Sequence, residues 1–154
     1  MISIFGDTRT IKDMNYTNIE QSKKLLELGL NPKSADMYFM NICPEDGKTL
    51  FDDVAGVGNA DISNNDLPCW SLNALLEVMP QSIRMYDERG RCYKTYDLNL
   101  FRSYYHCCSY SFGPSLKEEN HDNLYCYGGD TWLEAVYNMI IFLFNNGYMK
   151  AEKS

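Results

Sequence analysis

The segment Thr131–Tyr148, TWLEAVYNMIIFLFNNGY, constrains this chain more than any other. It specifies one buried helix almost completely. Thr131 is placed to cap the N-terminus, and Glu134, three residues on, completes a capping-box pattern. Trp132, Val136, Met139, Ile140 and Leu143 recur at helical spacing and build an apolar stripe. Asn146 and Gly147 tolerate the left-handed conformation that closes a helix. The second half of the segment is apolar all round, so it needs cover on more than one side. Two burials satisfy that need: a core between a sheet and other helices, or such a core plus a homodimer contact.

Two further helices are written in the same way. Thr17 and Glu20 form a capping-box pattern ahead of Ile19, Leu25, Leu26 and Leu28. Gly29 closes that helix, with Leu30 positioned to pack back and Pro32 beyond it. From Ser71 to Met79, Leu72, Leu75, Leu76 and Met79 fall at i, i+3, i+4 and i+7 and make one apolar face. Pro68 precedes this helix and Pro80 stops it.

The remaining patterned stretches read as strands. Asp36–Ile42 is one. Ser82–Tyr86 and Arg91–Tyr96 flank Asp87-Glu88-Arg89-Gly90 and predict a hairpin. Phe101–Phe112 predicts one long strand, with Tyr104, His106, Cys108, Tyr110 and Phe112 on one face. Phe101, Tyr105 and Cys107 share the other with three serines. Leu124–Tyr127 predicts a last short strand. Between Cys43 and Leu67, five aspartates, Glu45 and three glycines predict a long acidic loop with a short ordered piece at Thr49–Phe51. Residues 1–15 read as an N-terminal extension in which Ile2, Ile4 and Phe5 suggest a short edge strand. Residues 16–154 then form a single α+β domain: an antiparallel sheet of three to five strands, about three helices packed on it, and the C-terminal helix central.

Charge narrows the function classes. The chain carries a net charge of −7. Twelve of its 21 acidic residues, against 6 basic ones, lie in the first 80 positions. The basic residues are scattered, which disfavours direct nucleic-acid binding through phosphate contacts and docking on anionic membranes. The longest apolar run, Met139–Phe144, is far shorter than the roughly 20 residues that span a bilayer. MISIFGDTRT lacks the basic and apolar regions of a secretory signal. These features predict a cytoplasmic protein with no membrane association, whose six cysteines are reduced thiols in the core.

No motif carries a chemistry. His106, Cys107, Cys108, His121 and Cys126 are the candidates for metal ligation or a Cys–His nucleophile. Adjacent strand residues point to opposite faces, and no C-x-x-C or H-x-x-x-H spacing is present. Gly56-Val57-Gly58 lacks the third glycine and the lysine of phosphate-binding loops. Asp61–Asp66 lacks the sixth-position glycine and terminal glutamate of a calcium loop. Asp52–Asp53 and Glu118–Glu119 read as solvated pairs, and the tyrosines of Phe101–Phe112 as packing groups. No catalytic, metal-binding or cofactor-binding residue is assigned.

Thr17–Tyr38 (TNIEQSKKLLELGLNPKSADMY), Leu67–Pro80 (LPCWSLNALLEVMP) and Asp130–Tyr148 (DTWLEAVYNMIIFLFNNGY), taken together and in this order, resemble a family of small proteins encoded in phages and prophages of gut bacteria. The likeness covers about residues 16–148. It departs at Phe142 and Phe144, where the family commonly has a more polar end to its last helix. The resemblance implies a genomic context and no assigned activity. The leading expectation is therefore a non-enzymatic accessory protein that acts on an unknown protein partner. The alternatives are a small enzyme with an acid–base pair at His106 or His121, and an acidic nucleic-acid mimic.

Overall fold

A computed structural model describes residues 15–42, 50–112 and 122–151. The expected edge strand at Ile2–Phe5, residues 43–49 of the acidic loop, His121 and Glu118–Glu119 lie outside them. The chain gathers into two compact units, one running to Leu76 and taking in Ala151, the other spanning Glu77–Lys150. The class is α+β. Among the described residues there are three helices and two antiparallel sheets, one of three strands and one of four.

In the first unit, α1 (Ile19–Leu28) is capped by Asn18, one residue later than the sequence pattern suggests. The Asn18 side chain accepts from Gln21 N at 2.8 Å, and Gln21 Oε1 accepts from Asn18 N at 3.0 Å. Asn18 wins the cap because Thr17 is drawn into the core. The Thr17 hydroxyl lies 2.8 Å from Ser22 Oγ and accepts from Trp70 N at 3.1 Å. Thr17 N in turn donates to Trp70 O at 2.9 Å. A buried hydroxyl with its partners in place costs little, whereas an orphaned one is expensive. Gly29, at φ 106°, closes α1, and Leu30 N returns to Leu25 O at 3.0 Å.

The sheet of this unit has the order β2-β1-β3, from β1 (Met37–Phe39), β2 (Gly56–Val57) and β3 (Leu67–Cys69). Phe39, Leu67 and Cys69 form its core, with Tyr16, Ile19, Leu26 and Phe51 packed against them. The acidic loop thus contains a strand that its polar composition hides. It also contains a side-chain knot. Asp66 Oδ1 accepts from Asn41 N and Asn64 Nδ2, and Asp66 Oδ2 accepts from Asp61 N. Burial would raise the Asp66 carboxyl, but these donors outweigh it and hold the group below its ordinary value. The helix predicted at Ser71–Met79 is α2 (Leu72–Val78), with Ser71 Oγ accepting from Ala74 N.

In the second unit, the sheet runs β4-β5-β6-β7 through consecutive hairpins. The strands are β4 (Ser82–Tyr86), β5 (Cys92–Arg102), β6 (His106–Phe112) and β7 (Asp122–Gly129). The single strand expected over Phe101–Phe112 is therefore corrected. A turn at Ser103–Tyr105 divides it, with Ser103 N bonded to Tyr105 O, and Tyr104 is 96% exposed. Alternating hydrophobicity does not mark this break, because tyrosine is as suited to an exposed turn as to a strand.

The terminal helix α3 (Trp132–Asn145) packs on β6 and β7. Thr131 caps it, and Gly147 (φ 79°) closes it. Gly147 N bonds Phe144 O and Tyr148 N bonds Leu143 O, the paired bonds of a Schellman closure. Its buried residues are Leu133, Ala135, Val136, Met139, Ile140 and Leu143. Trp132 sits at the margin instead, edge-on to the His106 ring at 4.7 Å. Phe142 stacks on Tyr125 of β7 at 4.1 Å. Cys108 and Tyr110 are fully buried on the helix side of β6. Tyr110 donates its hydroxyl to Pro80 O at 2.6 Å.

Candidate functional site

The structure disperses most of the residues with chemical potential. His106 packs against Trp132, and its Nδ1 is buried without a partner. Cys108 shares the helix-facing side of β6 with His106, and burial pushes its thiol up to about 12. Cys107 lies on the opposite face, diagonal to Cys126 of β7, and its sulfur bonds Tyr105 O, so the expected separation of Cys107 from Cys108 holds. Among the described residues, no three His, Cys, Asp or Glu side chains converge on one point.

The remaining motifs have structural explanations. Gly56 lies under the Tyr38 ring, where an added Cβ would come within 3.1 Å. Its glycine serves close packing rather than phosphate. Asp61 and Asp66 direct their oxygens at donors of their own loop, and Asp52 is spent on the Val54 N–H. No helix among the described residues is long and apolar enough to cross a membrane.

Among the described residues, one well-formed exposed feature is the tip of the β4–β5 hairpin. Asp87 builds it: one carboxylate oxygen accepts from both Arg89 N and Arg91 N at 2.9 Å. Gly90, at φ 79°, allows the chain to reverse, and its N–H donates to Asp87 O. The strand register shifts beside the turn, from Met85 opposite Lys94 to Tyr86 opposite Cys92. Tyr93 is therefore an extra residue on β5, a bulge that re-aims its side chain. Tyr86 and Tyr93 stand 57% and 64% exposed. With Asp87, Glu88, Arg89 and Arg91 they line an open hollow of about 470 Å³. The Arg91 Nε–Asp87 pair is 3.5 Å long and solvated, so it orients the arginine more than it stabilises the fold.

A second, smaller hollow of about 330 Å³ is lined by Tyr105, Gly128, Gly129, Asp130 and Glu134. Glu134 there already accepts from Asp130 N, at 3.3 Å. Comparison of the chain with family models, with curated proteins and with solved structures returned no match in any of the three.

The hairpin itself is legible in the sequence, but its role as a surface is not. The segment YDERGRCY carries two tyrosines and two arginines in eight residues. That density is the signal available. Only the register shift shows that Tyr93 is an extra, exposed residue beside the turn.

Proposed function

We propose that this is a phage- or prophage-type accessory protein that acts by contact with a protein partner, and that the β4–β5 hairpin tip makes that contact. The observation that carries the reading is the bulge that turns Tyr93 out beside Tyr86, Arg89 and Arg91. Tyrosine and arginine are the residues that most often dominate binding energy at interfaces. Tyrosine has few rotatable bonds, so holding it in a contact costs little entropy. The hydrogen-bonded Asp87 turn presents these side chains on a preformed scaffold, which lowers the cost further. The genomic context implied by the three resembling stretches supplies the accessory role.

The test is capture from phage-infected cells with the tagged protein and with a Tyr93→Ala/Arg89→Ala variant. Recovery of a partner by the parent and its loss in the variant is the expected result. Equal capture by both proteins would remove the hairpin from the interface. Recovery of the parent alone at every stage of infection would count against a contact function altogether.

The enzymatic alternative draws less support. Among the described residues no carboxylate bonds the buried Nδ1 of His106, the contact that a histidine base uses for orientation. The acidic-mimic alternative is weakened by the spending of Asp36, Asp61, Asp66 and Asp87 on hydrogen bonds within the chain. Such groups are arranged by local turns, not by the spacing of phosphates.

A further inference from the structure

An antiparallel sheet with one solvated face keeps apolar residues in and polar residues out. The strand β1 and its continuation to Ile42 break that pattern. Met37 and Phe39 face the core of the first unit, and Asn41, next on the same side, is 3% exposed. The outward positions are therefore Tyr38, Met40 and Ile42. The neighbouring segment extends this face. Asn41 pairs with Phe51, Ile42 N donates to Leu50 O at 2.8 Å, and Asp52 N donates to Met40 O at 2.9 Å. Phe51 packs on the core, so Leu50 and Asp52 face outward, across from Ile42 and Met40. The Tyr38 ring lies over Gly56, and Pro68 of β3 stands opposite Tyr38. Met40, Ile42 and Leu50 are 46%, 51% and 54% exposed. One exposed apolar side chain is ordinary, whereas adjoining ones on paired strands form a patch of the kind that marks a binding surface.

Charge selects the occupant. Asp52 lies within the patch and Asp53 follows it, both exposed. One Asp52 oxygen accepts from Val54 N at 3.4 Å, a neutral donor that leaves the negative charge in place. Residues 43–66, which supply Leu50 and both aspartates, hold six acidic residues against one lysine. A second copy of this chain would bring that acidic segment to both sides of a two-fold contact. An anionic membrane surface would be repelled by it. A partner with apolar and basic groups on one face satisfies both parts of the patch. An amphipathic helix offers them together, as an apolar stripe flanked by lysines or arginines. Met40, with its flexible thioether chain, adapts to stripes of different shape.

We propose that Tyr38, Met40, Ile42 and Leu50 form a docking face for a basic amphipathic helix of a partner protein, whose cations lie against Asp52 and Asp53. The face shares no residue with the β4–β5 hairpin tip, so either contact stands without the other.

The experiment titrates the full-length protein into a fluorescein-labelled model peptide of about 18 residues, leucine and lysine in an amphipathic helical pattern, and reads anisotropy. The parent should bind it and should not bind the same peptide with glutamate in place of lysine. Met40→Ser/Ile42→Ser should weaken binding about tenfold or more through lost apolar burial. Asp52→Asn should weaken it less and flatten its dependence on salt. These side chains are exposed, so the variants should fold, which circular dichroism verifies; Leu50→Ser replaces a double variant that does not. Tyr93→Ala/Arg89→Ala should bind as the parent does, and a loss there would move the peptide to the hairpin and overturn this face. No binding by the parent, or equal binding by the folded double variant, also overturns it. Equal binding of the glutamate peptide overturns the assigned charge. A dimer of the protein alone, or its adsorption to phosphatidylglycerol vesicles, either one abolished by Met40→Ser/Ile42→Ser, would give the face to a second copy or to a membrane and overturn the assigned occupant.

Discussion

Ile140 offers the most direct test of how the terminal helix is buried. Its side chain is 0% exposed at the centre of α3. Ile140→Val removes one carbon from that site and should cost about 0.5–1.5 kcal/mol. Ile140→Ala should cost about 2–5 kcal/mol, because the surrounding packing closes a cavity only in part. At this chain length each kcal/mol lowers Tm by about 2–4 °C, so the two variants should melt about 1–6 °C and about 4–20 °C below the parent. Ile140→Asp loses the same apolar contacts and adds a carboxyl with no partner. Against a total stability of order 5–15 kcal/mol, that variant should fail to hold the Glu77–Lys150 unit at neutral pH.

The aspartate variant also carries a pH signature. A carboxyl forced into the core has a folded-state pKa far above its unfolded value of about 4. Its deficit is therefore smallest below about pH 4, where the group is neutral in both states, and grows as pH rises. Thermal melts of parent and variants between pH 4 and 7, read by circular dichroism, measure both effects. An Ile140→Asp protein with the parent's Tm would show that α3 does not bury this face, and a deficit independent of pH would show that burial of charge is not the cause.

Two further outcomes follow from the backbone and from the buried thiols. Gly147→Ala at φ 79° has open space for its Cβ and should cost about 1–2 kcal/mol from backbone strain alone. Gly29→Ala should cost more, because its Cβ would also meet Ala151, and Ala151→Gly should restore part of that loss; urea midpoints of the three proteins decide the order. Burial raises the thiols of Cys69 and Cys108 to about 11 and about 12. Because their folded pKa values exceed the unfolded ones, the stability they contribute is complete below about pH 9 and is lost as pH climbs toward 11 and 12. Tm should therefore fall across that range. At pH 7, alkylation mapped by mass spectrometry should label Cys92 and Cys126 and spare Cys69 and Cys108 until denaturant is added.

The elements with strong local codes were legible without the structure. α3 follows its capping threonine, apolar stripe and closing glycine, and the β4–β5 hairpin follows its Asp87–Gly90 turn. The errors fall where a local signal was ambiguous. Thr17 and Asn18 both suit an N-cap, and only the approach of Trp70 and Ser22 decides that Thr17 is buried. The break at Ser103–Tyr105 leaves the alternation of tyrosines undisturbed, so periodicity could not find it. The strand Gly56–Val57 sits in an acidic loop and is held by pairing with Met37 and Tyr38, a contact about twenty residues away in the chain.

The candidate site divides along the same line. The sequence by itself determined the class, the terminal helix and the absence of a recognisable catalytic motif, because helical periodicity, caps and turn residues act within a few positions of one another. Only the tertiary structure decided that a bulge sets Tyr93 beside Tyr86 at the turn, that His106 packs on Trp132, and that Cys107 and Cys126 share one face of adjacent strands. Those outcomes depend on strand register, and register is set by packing between segments that lie far apart in the chain.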